Sequence, residues 1–230
     1  MKRQLIRRCA YCRGEFHRNH LTKDHVPPQG VYGKKWRKGK NLPWVDCCYV
    51  CREGQAKGDE ALKAMVGMGL IRAESSASVQ EDVKRSLDRQ TWWRKILAES
   101  LRTNGSLQVS IDGLIGSRFI LGDEFSESAD DSIRRTCRGL LFLRHPDLDT
   151  RNFVFKTFQF TEDQLSKVSE LVGDLTEKAT GPPVAVRVED AFFAVWWFAG
   201  DPINSGIMLQ NFFGGLNFFV FFYHREHPAE

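Results

Sequence analysis

At 230 residues, with 42% hydrophobic and 27% charged side chains, the chain can bury one sizeable core or two small ones, and wholesale disorder is excluded. Its net charge of +4 is mild but lopsided, because residues 1–60 hold 14 Lys+Arg against 6 Asp+Glu and the remaining 170 hold 19 against 23. No run approaches the ~18 consecutive apolar residues of a membrane span, and the basic start, Met1-Lys-Arg-Gln-Leu-Ile-Arg-Arg8, lacks the apolar stretch of a secretory signal, so no membrane partner and a cytoplasmic location are expected.

The first 57 residues are short on helical periodicity and rich in Cys, Gly, Pro and Lys/Arg, which reads as a small loop-rich unit held by a metal. Two C-x2-C pairs, Cys9 with Cys12 and Cys48 with Cys51, supply four thiolates for a tetrahedral structural zinc site. Cys48 keeps the two-residue gap that Cys47 would lose. His17 and His20 follow the first pair closely, but four cysteines already complete the shell. Between the pairs lies Leu21-Thr-Lys-Asp-His-Val-Pro-Pro28, then the loop Gly33-Lys-Lys-Trp-Arg-Lys-Gly-Lys40 and Asn41-Leu42. Five cations (Lys34, Lys35, Arg37, Lys38, Lys40) around Trp36 suit contacts to phosphates, with the indole stacking on a base, so DNA is the expected partner. From about Asp59 the spacing turns helical, with Leu62, Met65, Val66 and Leu70 on one face, and the unit is expected to span residues 1–70.

Residues 71–230 read as a mixed α+β domain with an aromatic-rich sheet. Ser78-Val-Gln-Glu81 is a capping box opening a helix that turns Val79, Val83, Leu87, Ile96 and Leu97 inward. A Gly-rich stretch over 102–125 carries one short strand at 107–111, and a helix is predicted over 130–143 with Cys137 in its core face. A strand over 153–160 precedes a second capping box, Thr161-Glu-Asp-Gln164, and a helix carrying Leu165, Val168, Leu171, Val172 and Leu175. After Gly181-Pro182-Pro183, strands are predicted over 184–189, 191–198 and twice between 207 and 223, in an antiparallel sheet. Trp92-Trp93, Trp196-Trp197 and the Phe-dense end are read as core. Neighbours on a strand face opposite ways, so one Trp of the 196–197 pair is left for a protein partner or homodimer.

The string C-x2-C, T-x-D-H-V-P-P, N-L, V-x-x-C-x-x-C and then Asp59-Glu60 opening a helix resembles the HNH endonuclease family. Arg138-Gly-Leu-Leu-Phe-Leu is similar, more weakly, to a segment of bacterial HNH proteins with long C-terminal extensions. The resemblance implies a zinc-braced ββα-metal, treble-clef-like finger hydrolysing DNA phosphodiester bonds. In that reading His25 is the base that activates water, Asp24 a ligand for a catalytic Mg²⁺ or Mn²⁺, and Asn41 holds the loop or orients His25. One position departs: the family usually has Asn or His directly after the last cysteine, and here Arg52 has no lone pair for a metal. Three outcomes stay open. Asp59 or Glu60 supplies the missing oxygen, Arg52 clamps the scissile phosphate, or catalysis is impaired and a zinc-stapled nucleic-acid- or partner-binding module remains.

Overall fold

The structure, a computed structural model, describes residues 6–69, 79–83, 85, 106–111, 114–119, 123–160, 170, 172–173, 177–200 and 203–226. The N-terminal region is built from two short hairpins. Strand β1 (Ile6–Arg8) pairs with β2 (Glu15–His17), and β3 (Leu21–His25) pairs with β4 (Trp44–Cys48). Helix α1 (Tyr49–Arg52) leaves directly from β4, and α2 (Ala56–Gly69) follows. In the β3–β4 hairpin Lys23 pairs with Asp46, Asp24 with Val45 and His25 with Trp44. Side chains alternate across a strand, so Asp24, Val45 and Cys47 turn into the core while Lys23, His25, Trp44 and Asp46 form the outward face.

The second half is organised around one long helix, α3 (Asp123–Arg144), longer at its start than the predicted 130–143. Phe125, Ala129, Ile133, Cys137, Leu140 and Leu141 recur at helical spacing and are all buried. Their face packs on a five-stranded antiparallel sheet, order β7-β11-β10-β9-β8, formed by β7 (Phe153–Phe160), β8 (Val184–Val188), β9 (Phe192–Ala199), β10 (Ser205–Phe212) and β11 (Leu216–His224). The strands lie close to their predicted bounds, and their burial alternates: Phe192, Ala194 and Trp196 turn inward with Met208, Phe212 and Phe218. Trp196 is fully buried, whereas Trp197 lies half-covered on the other face with Ile207 and Phe219. Gln210, also fully buried, donates from Nε2 to the Ile133 carbonyl of α3 at 3.3 Å and so fixes the helix against the sheet.

Other parts of the reading fare differently. The single strand predicted at 107–111 is half of a hairpin, β5 (Ser106–Ile111) with β6 (Leu114–Phe119). Residues 79–83 are helical with Val79 and Val83 buried, while Leu70, Leu87, Trp92, Trp93, Ile96 and Leu97 lie outside the described residues, as do Leu165, Val168, Leu171 and Leu175. The chain is thus a mixed α+β protein with antiparallel sheets. One cluster of buried residues runs from Cys9 through α2 and α3 to Phe222, crossing the expected boundary at 70/71. No described helix is long and apolar enough to cross a membrane.

Candidate metal centre and the surface beside it

The first cysteine pair sits in the turn joining β1 to β2. The Cys9 N–H donates to the Gly14 carbonyl at 2.9 Å, and the Arg13 N–H to the Cys9 carbonyl at 3.0 Å. The turn closes only with Arg13 in the left-handed region, φ 64°. Its side chain reaches the end of α3, where the guanidinium donates to the Pro146 carbonyl just past the helix and lies 5.0 Å from the centre of the Phe142 ring. The second pair comes from the end of β4 and from α1, and the register of β3 with β4 sets its height. All four ligand sulfurs of Cys9, Cys12, Cys48 and Cys51 lie within 4.8 Å of one another.

These distances fit a tetrahedral ion. Zn–S bonds of about 2.3 Å place neighbouring sulfurs about 3.8 Å apart, and Cys12 Sγ lies 3.8 Å from Cys48 Sγ. None of these cysteines forms a disulfide. The Cys48 N–H points at Cys9 Sγ from 3.4 Å. The Cys9 thiol is lowered to about 4, first by the neighbouring Cys47 thiol and then, against burial, by the N–H groups of Cys12, Cys48 and Tyr11. The Cys12 and Cys51 thiols are instead raised, first by burial, so the cluster as a whole would give up its protons on binding a metal. Four cysteines so placed could hold a structural metal such as zinc. Cys47 is no part of the group: its own thiol is pushed up, chiefly by Cys9, and donates to the Cys48 carbonyl. His17 is engaged with Asn19, and neither His17 nor His20 joins the sulfurs.

Asp24 and His25 are neighbours that face different surroundings. Asp24 is 9% exposed; its Oδ2 accepts from the Tyr11 hydroxyl and forms an ion pair with Arg135 of α3. The other end of the same guanidinium reaches Asp59 Oδ1 at 3.4 Å, and Ser132 Oγ donates to that oxygen at 2.9 Å. Burial pushes the Asp59 carboxyl up, with Arg135 and Ser132 opposing. For Arg135, burial pulls down but Tyr11, Asp24 and Asp59 together raise it. Glu60 turns elsewhere and pairs with Lys63 at 3.2 Å. Arg135, Tyr11 and Ser132 escaped the sequence reading. Their signal was a stripe of small residues, Ser128, Ser132 and Gly139, with Arg135 on the same side of a predicted helix.

His25 ends β3, half-buried, on the same outward face as Lys23 and Trp44. Burial lowers its pKa, Pro43 and Asp24 pull it back, and Arg37 and Lys23 lower it further. Lys23 Nζ lies 4.3 Å from the centre of the Trp44 ring. Trp44 and Asp46 also wall a cleft of about 610 Å³ whose other sides include Asn41, Arg144 and Arg187. Asn41 is exposed there, and Arg52 is exposed at the end of α1.

The basic loop is folded back on the molecule. Trp36 stacks on Tyr32 with 5.5 Å between ring centres and meets Phe213 edge-on at 6.3 Å. Lys40 caps the same indole at 4.2 Å and pairs with Glu189. Lys35 pairs with Glu81 at 3.0 Å, and the Lys34 backbone N–H donates to Asp82. Arg37 is half-buried and Lys38 exposed. Searches of protein-family models, curated proteins and solved structures find nothing that matches this chain.

Proposed function

We propose that this chain is a zinc-stapled, HNH-like module that binds DNA along the outward face of the β3–β4 hairpin, with metal-dependent cleavage impaired. The observation that carries this reading is the division of labour between two adjacent residues. Asp24 is drawn inward and neutralised by Arg135, while His25 lies half-buried on the outward face with Lys23, Arg37 and Trp44 around it. The cations supply charge for a phosphate, the indole a stacking plane, and the imidazole a hydrogen-bonding group. The cleft bordered by Asn41, Arg144 and Arg187 extends the same face and gives a strand room to continue.

The donor set for a catalytic Mg²⁺ or Mn²⁺ does not fit. Asp24 is occupied, Arg52 has no lone pair, and Glu60 pairs with Lys63. Mg²⁺ keeps several of its waters, and Asp24 is too enclosed to admit them.

A second reading, an active HNH endodeoxyribonuclease, is favoured by the state of His25. An imidazole held below its ordinary pKa by burial keeps the lone pair that a general base needs. One experiment separates the two. Supercoiled plasmid is incubated with wild-type protein and His25→Ala in Mg²⁺ or Mn²⁺, and DNA binding is measured across salt. The first reading predicts intact plasmid and salt-sensitive binding, with the log–log salt slope reduced by about 2 when Lys23 and Arg37 are both replaced by Ala. Nicking that disappears in His25→Ala selects the nuclease. Absence of binding even at low salt overturns both.

A further inference from the structure

The buried centre beside the cysteine cluster explains why a second metal has no place, and it assigns a role to a residue outside every N-terminal motif. Asp24 comes from β3, Asp59 from the first turn of α2, and Arg135 from the middle of α3. The guanidinium presents one terminal nitrogen to each carboxylate, and it lies over the Tyr11 ring with 5.2 Å between its carbon and the ring centre. Its side chain is 13% exposed, and that of Asp24 is 11%. Two acidic groups from different elements converge on a single cation, the Asp24 side enclosed and the Asp59 side chain 31% exposed. Within an HNH-like unit, that is the task a divalent ion would perform.

We propose that Arg135 is a built-in cation standing in for a divalent metal between Asp24 and Asp59, so that no second ion enters there beside the structural one at the four cysteines. A guanidinium matches two carboxylates as a fixed fork and cannot be released or exchanged. The strut closes on its own at synthesis, whereas an ion site between the same groups would stay open until loaded. This rests on the HNH reading only for the expectation of a second ion; the contacts themselves stand apart from it.

The test is a Mn²⁺ titration of zinc-loaded protein, following free Mn²⁺ by electron paramagnetic resonance. Wild type should leave the Mn²⁺ signal at its protein-free amplitude up to millimolar concentrations. Arg135→Gln leaves two carboxylates without their cation, and it should take up one Mn²⁺ per chain and gain thermal stability from it. The added substitution Asp24→Asn should abolish both effects. Uptake of one Mn²⁺ by wild type that is lost in Asp24→Asn would overturn the proposal, and this arm needs no altered Arg135. An Arg135→Gln protein that is folded, retains zinc and still takes up no Mn²⁺ would overturn it as well. DNA binding is scored separately on the same samples, so loss of the DNA reading leaves the Mn²⁺ result intact, and the reverse.

Discussion

Single residues here are tuned by what buries them. Asp24 and Arg135 are a partly enclosed pair whose Coulomb attraction and desolvation nearly cancel, so the pair itself adds little to stability. Removing Arg135 is another matter, because Asp24 then remains inside without its counter-charge at a cost of about 3–5 kcal/mol, whereas Arg135 without Asp24 keeps Asp59. The histidines respond to burial in the opposite sense from the carboxylates. His25 and His145 are both pushed below their ordinary value, His145 at the end of α3 where its ring sits edge-on to Trp196 and Phe198. Just below a pH of about 6.5 the unfolded chain therefore binds more protons than the folded one. Stability should fall as pH drops through that window and return as it rises, and His145→Gln should flatten part of the slope. Thermal melts between pH 5 and 7.5 check this; a profile level across the window sinks it.

At the level of elements, α3 is the unusual piece, because it is packed on two sides. One side is apolar and meets the sheet. The other carries Ser128, Ser132, Arg135 and Gly139, and it meets the N-terminal unit. A Cβ on Gly139 would run into Val26 Cγ1 and lie 3.3 Å from the Tyr11 hydroxyl, and one on Gly58 of α2 would lie 2.8 Å from the Ser128 carbonyl. Gly139→Ala should therefore destabilise by about 1–3 kcal/mol from overpacking, beyond the gain of about 1 kcal/mol that alanine brings to a helix interior. Urea denaturation against wild type measures it, and a stabilised variant would refute the close approach. These contacts also show what the sequence could and could not disclose. The strands of the sheet were legible because apolar residues run without interruption from Phe192 to Phe198 between turn residues, and the cysteine cluster was legible because C-x2-C fixes ligand spacing locally. The partner of β5 was not, since Gly116 and Arg118 break the alternation of Leu114–Phe119. Trp36 read as a surface group because its loop is polar, and only the fold brings Tyr32 and Phe213 to it. Arg135 was hidden for the same reason: the acids it serves lie 111 and 76 residues earlier.

Across the whole molecule, the cysteine cluster and the sheet communicate through α3. The C-x2-C turn holds α3 through Arg13 at Pro146 and Phe142, while Tyr11, from the same turn, sits against Asp24 and Arg135. Stripping the metal should loosen both contacts together. Treatment with a strong chelator is expected to release one Zn²⁺ per chain and to lower the melting temperature of the entire protein in a single transition, seen by near-ultraviolet circular dichroism of the aromatic side chains, the buried Trp196 among them. Two separate transitions would mean that the N-terminal unit unfolds alone. The buried cluster that crosses residue 70 has a further implication for how such a protein is inherited. An excised N-terminal piece would uncover the side of α2 that packs on α3 and leave Asp24 without its counter-charge. An N-terminal unit joined in this way would have to travel with the helix that completes it, so gene fusions that include it should break upstream of Cys9 or beyond the sheet.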